Sequence, residues 1–233
     1  MDVVLKVVKY IIMYIPAIWG LHTWLYAKNP KYYFFFIRKI SKWRDTTWSV
    51  NANFQPEQIV GFYQQFEDVL RSIYKEEHYK RTVNMVNKKM YECGIFNILV
   101  QDDFDNGCFS TKTVFIRISQ LNVTLKRAEE VLRELRELFN EIERVIRPNS
   151  STYSLDIHFK LGKNPFYGLM VQRLGKENVA HFECFFPISA IVPKNNGNDR
   201  NQHFLRVYKE KLSINETSFD ILEETAKRAL LFK

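Results

Sequence analysis

Between residues 111 and 161 the chain changes its hydrophobic period twice. From Leu125 the apolar side chains fall at Leu125, Ala128, Val131, Leu132, Leu135, Leu138, Phe139, Ile142, Val145 and Ile146. Steps of three and four residues place them all on one stripe of an α-helix. The opposite face mixes acid and base, with favourable pairs such as Glu129 and Arg133 four apart. Thr124 is positioned to cap the first turn, and Pro148 to stop the helix soon after Ile146. On either side the period falls to two. Val114, Ile116 and Ile118 alternate with Phe115, Arg117 and Ser119; Tyr153, Leu155, Ile157, Phe159 and Leu161 alternate with Ser154, Asp156, His158 and Lys160. Such alternation is that of a half-buried strand, so the unit reads strand, helix, strand, with the helix stripe on the apolar side of a sheet.

The same two periods organise the rest of the chain. Trp48, Val50, Ala52 and Phe54 alternate with Ser49, Asn51 and Asn53 as a first strand. Pro56 suits the first turn of a helix whose stripe runs from Ile59 to Tyr74. Residues 78–93 fit either a helix closed by Gly94 or part of a strand. Ile95 to Val100 leads into an acidic turn, where Asn106-Gly107 signals a hairpin tip. Asp102, Asp103 and Asp105 do not follow the calcium-loop pattern. Further strands are predicted at Tyr167–Val171, from Val179 to Ile188 and from Leu205 to Ile214, with a polar loop at 194–202. Thr217 is expected to cap a last helix reaching Leu230. Strand followed by helix recurs at 47–74, 113–146 and 205–230, short of a sequence repeat. The predicted class is α+β: a largely antiparallel sheet with two or three amphipathic helices packed on one face, preceded by an N-terminal hydrophobic helix.

Charge divides the chain at the same place as hydropathy. The net charge of +8 is concentrated in residues 1–46, which hold eight basic residues against two acidic ones; residues 47–233 hold 26 basic and 24 acidic. Tyr10 to Ala27 is eighteen residues without a charge, at the lower limit for spanning a bilayer. Trp19 and Trp24 suit the membrane interface, and Lys28, Lys31, Arg38 and Lys39 follow closely enough to keep the flank cytoplasmic and to attract anionic lipid. Three readings stand beside one another: a spanning anchor, an interfacial helix, and an ordinary core helix interrupted by Pro16 and His22. The chain is therefore read as a membrane-contact segment, residues 1–46, and a single α+β domain, residues 47–233, with lipid as a partner of the first.

Candidate chemistry in the domain is sparse. Cys93, Cys108 and Cys184 have no zinc-site spacing and form no even disulfide set. Eight glycines leave no phosphate-cradling loop, and no hydrolase elbow, dinucleotide fingerprint or zinc-protease motif is present. No motif specifies a cofactor. The best cluster is Asp156 with His158 and His181 with Glu183. Each pair shares a strand face, so neighbouring strands would bring four metal-ligand types together for a metal-dependent phosphoesterase. Near-neutral charge in the domain disfavours nucleic acid. The leading expectation is a binding or effector module without catalytic activity, tethered at the cytoplasmic side of a membrane. The alternatives are the metal-dependent hydrolase and a soluble partner protein that self-associates through residues 10–37.

Overall fold

The computed structural model describes residues 2–29, 32, 33, 35, 36, 45–56, 61–74, 79–103, 113–160, 164–179, 181–188 and 204–231. Among them are five helices, α1 (Asp2–Lys28), α2 (Phe62–Ile73), α3 (Ala128–Ile146), α4 (Pro165–Leu174) and α5 (Phe219–Leu231). Nine strands accompany them: β1 (Asp45–Pro56), β2 (Tyr79–Asn84), β3 (Lys88–Cys93), β4 (Phe96–Asp103), β5 (Thr113–Thr124), β6 (Pro148–Phe159), β7 (Glu183–Pro187), β8 (Phe204–Tyr208) and β9 (Lys211–Glu216). They form one sheet in the order β2-β3-β4-β5-β1-β6-β9-β8-β7, and every neighbouring pair is antiparallel. The α+β class and the antiparallel sheet are thus present.

The topology accounts for the recurrence noticed in the sequence. β1 and β6 lie side by side at the middle of the sheet. Each runs into a helix, α2 or α4, after which the chain restarts at an outer edge, β2 or β7. From there it steps back inward through hairpins, β3-β4-β5 or β8-β9, and ends in a second helix, α3 or α5. The two halves share a path without sharing a sequence.

Alternation along the central strands builds the core. Trp48, Val50, Ala52 and Phe54 are buried on β1, facing Ile157, Leu155 and Tyr153 of β6 in register. On the other side Val50 and Ala52 pair with Ile118 and Ile116 of β5. Between Trp48 and Val50 that register slips by one residue, and Gln120 takes a left-handed φ of 57°. This is a β-bulge, and it returns Leu121 and Val123 to the buried side. The stripe of α3 is buried from Ala128 to Ile146, and its Phe139 ring lies 5.3 Å from Tyr153, 6.4 Å from Phe54 and 5.0 Å from Phe219 of α5. Tyr153 in turn donates its hydroxyl to Glu143, tying helix to strand.

Several local expectations are corrected. Tyr167, Leu169 and Val171 lie in helix α4, where Asn164 accepts a hydrogen bond from the Phe166 amide at 3.0 Å and Pro165 opens the first turn. Five alternating residues are too few to outweigh a cap and a helix-starting proline. Of the two readings left open for residues 78–93 the strand is the one present, as the hairpin β2-β3, whereas Leu205 to Ile214, expected as one strand, is divided between β8 and β9 by the turn at Lys209 and Glu210. Asp102 and Asp103 belong to β4, with Asp102 buried. Pro56 ends β1 instead of starting a helix. α3 begins at Ala128 with no side-chain cap; the Thr124 carbonyl accepts from the Arg127 amide. Thr217 does not cap α5, whose first turn closes on the Ser218 carbonyl. The Asn106-Gly107 tip, the loop at 194–202 and Cys108 lie outside the described residues.

Candidate functional site: an exposed apolar helix beside a polar sheet face

Helix α1 differs from every other helix in what it leaves uncovered. Met13, Tyr14, Ile15, Ile18, Trp19, Leu21 and Trp24 are all more than half exposed, Trp19 reaching 69%. They are spread around the helix, and only Pro16, Gly20 and Thr23, spaced four and three apart, make a strip without a large apolar side chain. Such a surface loses on the order of 5–10 kcal/mol in water relative to an apolar surrounding. Among the described residues, however, no helix is long and apolar enough to cross a membrane. The expected hydrophobic, membrane-spanning N-terminal helix is therefore not found; Asp2–Lys28 is helical, with apolar side chains exposed from Met13 to Trp24.

The base of α1 is held by aromatic packing. His22 lies among Trp19, Tyr26, Tyr32 and Phe36 at ring distances of 4.6 to 5.8 Å, and its Nδ1 is 2.7 Å from the Tyr32 hydroxyl. His22 thus belongs to a local aromatic cluster. Tyr33 is buried between Tyr26, Phe166 and Leu169, and burial raises its hydroxyl pKa. Its hydroxyl lies against Gly168 of α4 so closely that a β-carbon there would collide with it. Arg173 of α4 completes the joint by donating to the Lys28 carbonyl at 3.3 Å. Of the expected membrane-contact residues, Trp19, Trp24 and Lys28 are exposed on α1, whereas Lys31, Arg38 and Lys39 lie outside the described residues.

The second region is the sheet face turned away from the core. Across its centre Asn51 links two strands: Arg117 donates to its Oδ1 at 3.0 Å, and its Nδ2 donates to Ser154 at 3.1 Å. One row along, Asn53 lies opposite both Phe115 and Thr152. Asn53, Gln101, Thr113 and Phe115 line a shallow cavity of about 350 Å³. The Arg117 guanidinium lies over the Phe115 ring at 4.9 Å, and Arg206 lies over Phe185 at 5.7 Å on the other half of the sheet. The surface offers amide and hydroxyl groups that both donate and accept, flanked by two cation-aromatic stacks.

The four expected metal ligands are not brought together. Asp156 and His158 are on β6 and Glu183 is on β7, with β9 and β8 between them, three strand spacings or about 14 Å. Asp156 accepts from Ser213 and lies 3.5 Å from Lys211; His181 is exposed and lies 3.6 Å from Glu183. Among the described residues no group of three or more His, Cys, Asp or Glu side chains is placed to hold a metal ion. Sequence patterning gives the face of a residue on its strand, but strand order decides which faces meet.

One polar cluster escaped the sequence reading. Glu67 of α2 is buried, and its Oε1 accepts from the Tyr91 hydroxyl and Arg81 at 3.0 Å and from Lys89 at 3.4 Å. Burial resists ionisation of this carboxyl. The hydrogen bonds from Tyr91 and Arg81 and the Lys89 charge outweigh it, and the group titrates below the ordinary 4.5. Lys89 also sits 4.4 Å above the Tyr63 ring. The signal was an acid on the apolar stripe, at the fourth residue after Tyr63 and three before Leu70. Glu223 of α5 is a parallel case, buried and paired with Arg136 of α3 at 3.2 Å. Both carboxylates are held by ion pairs, Glu67 to Arg81 and Lys89 and Glu223 to Arg136 and Lys227, and join helices to their neighbours.

The fold and these surfaces define an α+β protein with a nine-stranded antiparallel sheet. No protein-family model matches the chain, and no match to it is found among curated proteins.

Proposed function

We propose that this protein is a non-enzymatic binding module attached to a membrane through α1, with the polar face of its sheet presented to a partner. One observation carries the reading: α1 is apolar around most of its circumference and exposed on all sides between Met13 and Leu21, whereas the stripes of α2 and α3 are covered by the domain itself. A helix apolar all round needs an apolar surrounding. The aromatic residues near its base and the basic run from Lys28 through Lys31, Arg38 and Lys39 fit a lipid headgroup layer on the cytoplasmic side. Amides and hydroxyls at Asn51, Asn53, Gln101 and Thr152 suit recognition of a neutral polar surface.

Fractionation of the full chain tests it. Membranes bearing the protein are washed with high salt, then carbonate, then detergent. Release by detergent alone means that α1 is seated among acyl chains. Release by salt or carbonate means attachment at the interface. A chain that remains in the supernatant throughout, and sediments as an oligomer, would transfer the apolar helix to a contact between copies and overturn the membrane reading.

A further inference from the structure

The surface beside the base of α1 carries a second uncovered apolar group. On α4, Met170 and Leu174 are one turn apart and both exposed, Leu174 at 52%. They flank Arg173, whose guanidinium bonds the Lys28 carbonyl at the end of α1. The N-terminal half of the same helix is occupied otherwise: Phe166 and Leu169 pack on Tyr33, and Tyr167 packs on Phe182 at 5.4 Å. Gly168 lets the Tyr33 hydroxyl approach the α4 backbone. α4 is therefore clamped to α1 by one part of its surface while Met170 and Leu174 project beside the joint. The apolar surface of α1 and that of α4 meet at Lys28 and Arg173, both exposed and both basic.

We propose that the exposed end of α4, formed by Met170, Arg173 and Leu174, is a second membrane contact that takes an anionic phospholipid headgroup and fixes the orientation of the domain on the bilayer. The proposal rests on the membrane reading of α1. Continuity argues for lipid as the occupant: a helix seated in a membrane brings whatever adjoins its base to the headgroup layer, where a short apolar pair with a flanking arginine is favoured. Charge argues for the anionic class. Lys28 and Arg173 stand at the joint, and the chain immediately after α1 adds Lys31, Arg38, Lys39, Lys42 and Arg44. The Glu177 carboxylate is turned onto Gly175 at the end of α4. The sheet provides an internal control, because the β2-β3 turn at Val86 is 97% exposed and lies at the edge opposite β7.

Three full-length proteins, each with one introduced exposed cysteine, Ile18→Cys, Leu174→Cys and Val86→Cys, test it in a Cys108→Ala/Cys184→Ala background. Cys93 stays in place, since it is buried and burial pushes its thiol up to about 12. Each is labelled with an environment-sensitive dye and mixed with phosphatidylcholine vesicles, with or without phosphatidylserine, carrying nitroxide lipid. The expected result is strong quenching at positions 18 and 174 and none at 86. Replacing Arg173 with Ala should weaken binding to the anionic vesicles about five-fold, with Lys restoring most of it. Quenching at 18 with none at 174 would overturn the α4 contact and leave the α1 reading standing. Absence of quenching at both would overturn both. Equal quenching at 174 and 86 would mean that the domain has no fixed orientation and would also overturn the proposal.

Discussion

Helices α1 and α3 are the two longest of the protein, 27 and 19 residues, and they solve the burial problem in opposite ways. α3 confines its apolar side chains to one stripe and buries it within its own domain, with Val145 half-buried. Its charged face is left to solvent, with local pairs such as Arg144 and Glu141. α1 has no charged face over Tyr10 to Ala27, and between Met13 and Trp24 its large side chains are exposed. The difference teaches where each helix finds its solvent. α3 is completed by the sheet beneath it, whereas the large apolar side chains of α1 between Met13 and Trp24 are left uncovered.

That contrast can be broken by substitution. Phe139→Ala removes a ring in contact with Phe54, Tyr153 and Phe219, and should cost about 3–5 kcal/mol in urea unfolding. Ile18→Ala on α1 should leave the same midpoint unchanged while weakening vesicle binding. An equal loss of domain stability from the two would show that α1 is core.

A slightly smaller effect is expected at the corner that ties α2 to the sheet. Glu67→Gln removes a buried charge from Arg81, Lys89 and Tyr91, and should cost about 3 kcal/mol. The sign with pH follows from the lowered carboxyl. A group whose folded value lies below its unfolded one contributes its full stability above the unfolded value, here 4.5, and loses it as pH falls through the lower folded value. The wild type should therefore lose stability in that acid window, and the variant should lose less. Parallel titration curves for the two proteins would contradict the assignment.

The joint between the regions should respond more modestly. Gly168→Ala puts a β-carbon where the Tyr33 hydroxyl lies, at a cost of about 1–3 kcal/mol. It should speed proteolytic separation of α1 while the cleaved domain keeps its cooperative unfolding. The smallest effect is expected on the polar sheet face. Arg117→Ala gives up one hydrogen bond to Asn51 and the stack on Phe115, and should shift stability by at most about 0.5 kcal/mol. Its effect should appear in partner capture.

Elements carried by long, regular periods were legible in the sequence: the alternation of β1, β5 and β6 and the stripes of α2 and α3. α4 was misread because Tyr167, Leu169 and Val171 alternate by coincidence over five positions, while the decisive signal lay in Asn164-Pro165 just before them. Strand order was not legible, because it depends on pairing between residues far apart in sequence. His158 and Glu183 illustrate the consequence: each face was read correctly by alternation, yet β9 and β8 separate them. The uncharged run from Tyr10 to Ala27 was plain in the sequence. That its side chains stay uncovered required the fold.

Intrinsic tryptophan emission tests the proposed membrane attachment of α1 most directly. Trp19 and Trp24 are exposed on α1 and Trp48 is fully buried, so a full-length Trp43→Phe protein reports the helix against a constant core signal. On addition of anionic phospholipid vesicles the emission should move to shorter wavelength and become quenchable by brominated acyl chains. An unchanged spectrum, with Trp19 and Trp24 still accessible to aqueous iodide, would contradict attachment of this protein to membranes through α1.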